Sequence, residues 1–262
     1  MPVSLTRESR NRLPVFRVLG VPVDAVQIPD VIATMEEWIH ERAGTHFIAV
    51  TGMHGVVEAH HQQAFKDVLN SADMVVPDGM PLVWMGRRHG FTMPRRVYGP
   101  ELMETFFRET GNRYSHFFYG GAEGVADSLA TKMWSRYEIR ITGTYSPPFR
   151  NLTAEEERQV AGMIQSAAPD VLWVGLSTPK QEKWMWAFHD KVDVPAMVGV
   201  GAAFDFHTGR AKQAPVWMRE HGLEWFFRLV TEPRRLWRRY LVYGSQFIWN
   251  VNLEILKLRK FN

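Results

Sequence analysis

Val171-Leu172-Trp173-Val174-Gly175-Leu176-Ser177-Thr178-Pro179-Lys180-Gln181-Glu182 and, a helix's length later, Val194-Pro195-Ala196-Met197-Val198-Gly199-Val200-Gly201-Ala202-Ala203-Phe204-Asp205 decide how this chain folds. Each is a short apolar run that ends in small residues, which predicts a strand, a tight turn and the start of a helix. Thr178 is placed to cap the first of these helices and Pro179 to take its first position. In a parallel sheet the residues just past the strands converge on one crevice, where such folds bind ligands. The two loops therefore predict Ser177, Gln181, Gly201 and Asp205 as neighbours around a polar, phosphate-bearing ligand.

The same alternation extends outward through most of the chain. Strands are expected at His46–Thr51, Ala72–Val76, Ser115–Tyr119 and Glu138–Gly143, besides Asp170–Gly175 and Val194–Val200. Between them lie helix-length segments at Gly55–Leu69, Gly99–Thr110, Gly124–Ser135, Thr153–Ala168 and Pro179–His189. A first helix is expected over Ile28–Ala43, and Val15–Val26 reads as a hairpin turning near Gly20. The expected class is α/β: a mostly parallel sheet of about six strands with helices on both faces, an N-terminal β-hairpin and a basic helical C-terminal appendage. The chain divides into a polar lead-in at 1–14, a core at 15–209 and the appendage at 210–262.

At 262 residues, 45% of them hydrophobic, the chain can bury one full core. It has no cysteine, which removes disulfides, thiolate metal sites and a cysteine nucleophile, and fits a reducing compartment. Neither a signal peptide nor an apolar run of about 18 residues is visible, so no spanning helix is expected. The net charge of +3 hides a split: 24 acidic and 20 basic residues lie in 1–209, but 4 and 11 in 210–262. In that tail Leu236, Trp237, Tyr240 and Leu241 are interleaved with arginines, the composition of a helix that lies on an anionic membrane surface.

Two further loops can carry chemistry. Pro77-Asp78-Gly79 leaves a strand with an acid where a general base could take a proton from a hydroxyl, although Asp-Gly is also ordinary turn punctuation. Tyr119-Gly120-Gly121-Ala122-Glu123-Gly124 opens a helix in the manner of a phosphate loop. Its glycines do not match the dinucleotide fingerprint, which argues against a nicotinamide oxidoreductase. No histidine pair or Asp-x-Asp has metal-ligand spacing, so no metal is expected and no cofactor. The charge on a leaving diphosphate would then fall to Arg, Lys and backbone N–H groups, with Arg95-Arg96 and the tail arginines as the supply. Arg and Trp in the tail would also suit nucleic acid, but no nucleic-acid module accompanies them.

Taken together, Thr51, Pro77-Asp78-Gly79, Arg96-Val97-Tyr98-Gly99, Gly120-Gly121, Pro179-Lys180-Gln181-Glu182, Gly199-Val200-Gly201-Ala202-Ala203-Phe204-Asp205, Ala214-Pro215, Gly222-Leu223-Glu224-Trp225 with Arg228, and Pro233-Arg234-Arg235 resemble the bacterial WecG/TagA/CpsF glycosyltransferase family. The resemblance covers roughly residues 15–240 and implies a Rossmann-like core. It implies an inverting transferase that moves a sugar, of N-acetylmannosamine type or a hexose, from a UDP donor to a polyprenyl-diphosphate-linked sugar in polysaccharide or cell-wall polymer synthesis. Asp78 would be the catalytic base. Thr51, Gly120, Gly121, Gln181, Gly201 and Asp205 would serve the donor, and Arg96, Arg228, Arg235 and Arg238 the acceptor and diphosphates. The enzyme would sit in the cytoplasm, peripheral on the inner face of the membrane, with homo-oligomers allowed for. A non-catalytic sugar-nucleotide-binding scaffold on the same fold is the alternative. Two positions depart from the family pattern: Thr51-Gly52-Met53-His54 stands where Thr-x-Asn is common, which removes the Asn amide and leaves open both the sugar it would read and whether His54 takes its place, and Gln213 stands where a basic residue is usual.

Overall fold

A computed structural model of the chain describes residues 13–261. The polar lead-in expected at 1–14 therefore lies outside the described residues, apart from its last two positions. A hairpin of β1 (Val15–Val18) and β2 (Val21–Asp24) comes first, turning through Leu19 and Gly20 at φ 50° and 82°. Two positive-φ residues in a two-residue loop match the right-handed twist of the strands they join.

The six expected strands all form: β3 (His46–Thr51), β4 (Met74–Pro77), β5 (Ser115–Gly120), β6 (Arg140–Tyr145), β7 (Val171–Gly175) and β8 (Ala196–Gly199). They make one sheet in the order β4-β3-β8-β7-β5-β6, and every neighbouring pair is parallel. The chain builds outward from β3 to β4, crosses to β5 and β6 on the other side, and returns inward through β7 and β8. The reversal leaves a crevice past the C-terminal ends of the central strands. Edge strand β4 does not present all its amides to solvent, because Val75 N–H donates to the Asp24 carboxylate of the hairpin at 2.7 Å.

The strands are apolar throughout because both faces are covered. Phe47, Ala49, Phe117, Tyr119, Leu172 and Val174 point into one buried cluster; Ile48, Val50, Phe118, Val171 and Trp173 point into the other. The second cluster is closed by α1 (Ile28–Glu41), α5 (Gly99–Thr110), α6 (Val125–Tyr137) and α9 (Ala203–Thr208). The first is closed by α2 (Met53–His61), α3 (Gln63–Ser71), α4 (Met80–Arg88), α7 (Ala154–Ala167) and α8 (Lys180–Phe188). Thr153 caps α7 in a reciprocal box with Glu156.

Three local expectations change. The single helix read over Gly55–Leu69 is two, because Gln62 is extended (φ −125°, ψ 102°) between α2 and α3 while the apolar spacing runs on across the break. Thr178 does not cap α8: the bond to Pro179 is cis, Pro179 is itself the residue before the helix, and the Thr178 hydroxyl donates to Glu182 Oε1 at 2.7 Å. Helix α4 starts directly after Asp78-Gly79, where only a turn was read.

The appendage runs through α10 (Val216–Glu220), α11 (Glu224–Thr231), α12 (Pro233–Trp237), a π turn at Arg238–Val242 and α13 (Tyr243–Ile255). Pro233 opens α12, where a missing N–H costs nothing. Helix α13 then returns to the core: Phe247 and Val251 belong to the first cluster, Tyr243 Oη donates to Glu58 at 2.7 Å, and Glu254 accepts from Leu19 N–H at 3.2 Å. The basic tail is thus tied down at its far end as well as at its start.

Candidate active site

Past the ends of β5, β7 and β8 lies a cleft of about 1200 Å³, lined among others by Tyr119, Gly121, Ser177, Lys180, Trp184, Gly201, Asp205, Arg210 and Arg235. Gly120 and Gly121 let the β5 loop pass over Gly175. At Gly120 (φ 134°) a Cβ would stand 2.6 Å from the Gly175 carbonyl oxygen, and Gly121 N–H donates to that oxygen at 3.0 Å. Both φ and space require glycine. Gly120→Ala should therefore lower the unfolding free energy by at least ~2 kcal/mol in denaturant titration.

Gln181 does not face the cleft. It is 1% exposed, its Oε1 accepts Gly201 N–H at 2.9 Å, and its Nε2 donates to Glu182 at 3.1 Å. Its role in this geometry is to lock the loop after β8 onto α8, and the Gly201 amide is thereby used within the protein. Glu182 is fully buried; burial pushes its carboxyl up, against the pull of hydrogen bonds from Thr178 and Gln181.

Asp78 opens into a second, smaller cavity of about 100 Å³, beside Met53, His54, Arg96, Tyr98, Glu224, Arg228 and Arg239. Two backbone bonds bring this about. Asp78 N–H donates to the Thr51 carbonyl (2.8 Å), and Val97 N–H donates to Pro77 (2.9 Å), so the Asp78 and Arg96 loops leave the sheet side by side. Asp78 Oδ1 is buried without a hydrogen-bond partner among the described residues. Burial raises its carboxyl above the ordinary range; Arg96 pulls it down, Glu224 pushes it up, and Arg239 and Arg228 pull down again.

Glu224 holds this cavity together. It pairs with Arg96 Nη2 and accepts from Tyr98 Oη at 2.8 Å, while Arg96 also lies 4.1 Å over the Tyr98 ring. His54, its ring tilted against Tyr243 at 4.8 Å between centroids, is pushed down to about 3 by burial and then by Arg239, so its ring is neutral at pH 7. Its Nδ1 has no hydrogen-bond partner among the described residues. The imidazole stands in the Asp78 cavity.

The expected residues therefore separate into three groups. Arg96, Arg228 and Asp78 line the small cavity; Gly121, Gly201, Asp205 and Arg235 line the cleft. Glu232 links the two, 3.9 Å from Arg228 and 2.6 Å from Arg235, and Asp205 lies 3.7 Å from Arg210. Thr51, Gly120 and Gln181 lie beneath and shape the loops. Arg238 lies 5.5 Å over the Trp237 ring and lines neither cavity, whereas Arg239 lines the small one. The π turn accounts for this: it takes more residues per turn than an α-helix, so the inward position falls on a later residue. Sequence reasoning also missed Glu224, although a lone acid within Leu223-Glu224-Trp225-Phe226-Phe227 was a visible signal for a buried pair. Among the described residues no group of three His, Asp or Glu is placed to hold a metal ion.

The family model described as Glycosyl transferase WecG/TagA/CpsF family matches residues 16–261. The chain is 32% identical over 179 residues to the N-acetylglucosaminyldiphosphoundecaprenol N-acetyl-beta-D-mannosaminyltransferase of Bacillus subtilis (strain 168), covering 68% of each chain. It is 31% identical over 186 residues to the protein of that name from Bacillus spizizenii, covering 70% of each. With the one from Staphylococcus aureus (strain MRSA252) identity is 25% over 236 residues, covering 89% of this chain and 91% of the relative.

Proposed function

The chain belongs to the WecG/TagA/CpsF glycosyltransferase family, and we propose that it transfers a sugar from a UDP donor to a polyprenyl-diphosphate-linked sugar with inversion, Asp78 acting as general base and no metal being required. The observation that carries this reading is the unpartnered Asp78 carboxylate, set among Arg96, Arg228 and Arg239 beside a cleft large enough for a nucleotide sugar. Burial weakens its hold on charge and so makes it a better proton acceptor than an exposed aspartate.

The cleft suits a uridine diphosphate. Half-buried Trp184, stacked at 4.0 Å on the buried Tyr119 ring, gives the nucleoside an apolar wall, and Lys180, Arg210 and Arg235 supply positive charge to the diphosphate. The donor sugar then reaches across Glu232 toward the Asp78 cavity. An acceptor hydroxyl there loses its proton to Asp78, its oxygen bonds to the anomeric carbon, and the bond to UDP breaks on the opposite face. The relatives' names specify N-acetylmannosamine transfer onto N-acetylglucosaminyldiphosphoundecaprenol. His54 beside Asp78 leaves the sugar read by an imidazole here, so an N-acetylmannosamine-type donor and a hexose donor are both to be tried.

No helix among the described residues is long and apolar enough to cross a membrane. The appendage instead exposes Trp217 (59%), Trp249 (67%) and Leu258 (71%) among its arginines, which suits peripheral attachment to the inner membrane face, where the lipid acceptor resides. Binding to anionic vesicles should weaken as salt shortens the Debye length to ~8 Å near 0.15 M; salt-independent binding would count against this.

The test of the whole reading is UDP release from a panel of UDP-sugars with a short polyprenyl-diphosphate-linked sugar, with and without chelator. Release with one donor, undiminished by chelator, is expected. A protein that binds UDP-sugars and releases nothing with any acceptor would be the non-catalytic scaffold.

A further inference from the structure

A third cavity, of about 500 Å³, lies between the 94–101 segment and α10. It is lined by Arg95, Arg96 and Arg219, by one acid, Glu101, and by the apolar Met80 and Val216. Glu101 is engaged by Arg95 at 3.0 Å. Arg219 Nε is buried and has no hydrogen-bond partner among the described residues. The cavity shares Met80, Arg96 and Tyr98 with the Asp78 cavity and no lining residue with the large cleft. The Asp78 cavity shares no lining residue with the cleft but meets it through the 3.9 Å contact of Arg228 with Glu232, so contacts lead from the cleft to the Asp78 cavity and on to the Arg219 cavity.

This order matters for an inverting displacement. Nucleophile and leaving group stand on opposite sides of the anomeric carbon, so the acceptor, with its diphosphate, enters from the side away from the nucleotide. The Asp78 cavity, at about 100 Å³, is smaller than the ordinary range of ligand sites. The third cavity, at about 500 Å³, falls within the ordinary range of ligand sites. Its planar guanidinium groups match phosphate oxygens in pairs. Val216, which lines it, and the next residue in α10, Trp217, are 56% and 59% exposed and offer apolar surface to a lipid chain.

We propose that this third cavity seats the diphosphate of the prenyl-linked acceptor, with Arg219 as its principal contact and Arg95 and Arg96 flanking it. The proposal rests on the glycosyl-transfer reading above for the position of the donor. Arg219, Arg95 and Arg96 then serve the lipid diphosphate, while Arg235 and Arg210 serve the nucleotide.

The experiment measures binding of farnesyl diphosphate, inorganic pyrophosphate and UDP to the full chain and to its Arg219→Ala, Arg219→Lys and Arg235→Ala variants, each checked for unchanged melting. Arg219→Ala should weaken farnesyl diphosphate about tenfold or more, the scale of one charge-assisted contact, with UDP affinity kept. Arg219→Lys should recover only part of the loss, because a point charge cannot pair in a fork. Arg235→Ala should do the reverse, losing UDP and keeping farnesyl diphosphate. In turnover, Arg219→Ala should raise KM for the prenyl-linked acceptor and leave KM for the donor. Unchanged farnesyl diphosphate binding in Arg219→Ala overturns the proposal, and so does a parallel loss of UDP, which would give the cavity to the nucleotide. If the unaltered protein binds farnesyl diphosphate through Arg219 but no UDP-sugar, it is the donor reading that fails.

Discussion

Asp78→Asn should lower kcat by at least ~100-fold, the lower end of what a positioned general base contributes, while donor binding stays within about twofold of the wild type. The substitution keeps the shape of the side chain and removes its capacity to accept a proton. Stability moves the other way. Burial holds the folded carboxyl above its unfolded value, so its stabilising contribution is full at low pH and is lost as pH rises through the folded pKa. Above the folded pKa the ionised group is a cost, and Asn removes it; there the melting temperature should be equal or higher. A kinetic loss with no stability loss is the signature of a reacting group. Near-normal turnover would remove Asp78 from the mechanism. The wild-type rate should itself fall as pH drops through that raised pKa, above the usual carboxylate range.

Glu224→Ala should cost about 3–5 kcal/mol, because it leaves a buried guanidinium unpaired. The side chains of Arg96 and Glu224 are only 15% and 8% exposed, and Tyr98 Oη would lose its acceptor at the same time. For a chain of this size the melting temperature should drop by roughly 10 °C. Glu224→Gln is the informative partner. It keeps an oxygen for Tyr98 and removes a negative charge that raises the Asp78 carboxyl, so the acid limb of the pH–rate profile should move to lower pH. A limb that stays in place would mean that Glu224 holds the appendage but has no electrical hold on the base.

Most of the sheet was legible because its signal is local. Val171–Gly175 and Ala196–Gly199 are short apolar runs that each end in a glycine, and the structure places them as adjacent parallel strands whose loops meet. Asp78 could be nominated because it directly follows β4, and Asp205 because it comes just after the glycine turn that ends β8. The roles of Gln181 and Arg238 were not legible. Whether an amide faces a ligand or a neighbouring loop depends on a bond to Gly201, 20 residues on. Which of two adjacent arginines points inward depends on one π turn.

What the sequence by itself determined here is the alternation of strands and helices, the separation of a basic tail from a near-neutral core, and the acid after β4; these depend on residue type and spacing over a few positions. Only the tertiary structure decided that Arg96 and Glu224, 128 residues apart, share one buried ion pair, that α13 docks back onto the core, and that three cavities follow one another past Asp78. The reason is physical: local periodicity follows from backbone geometry within a turn or a strand, whereas burial and charge pairing are set by whatever side chain packing brings from far along the chain.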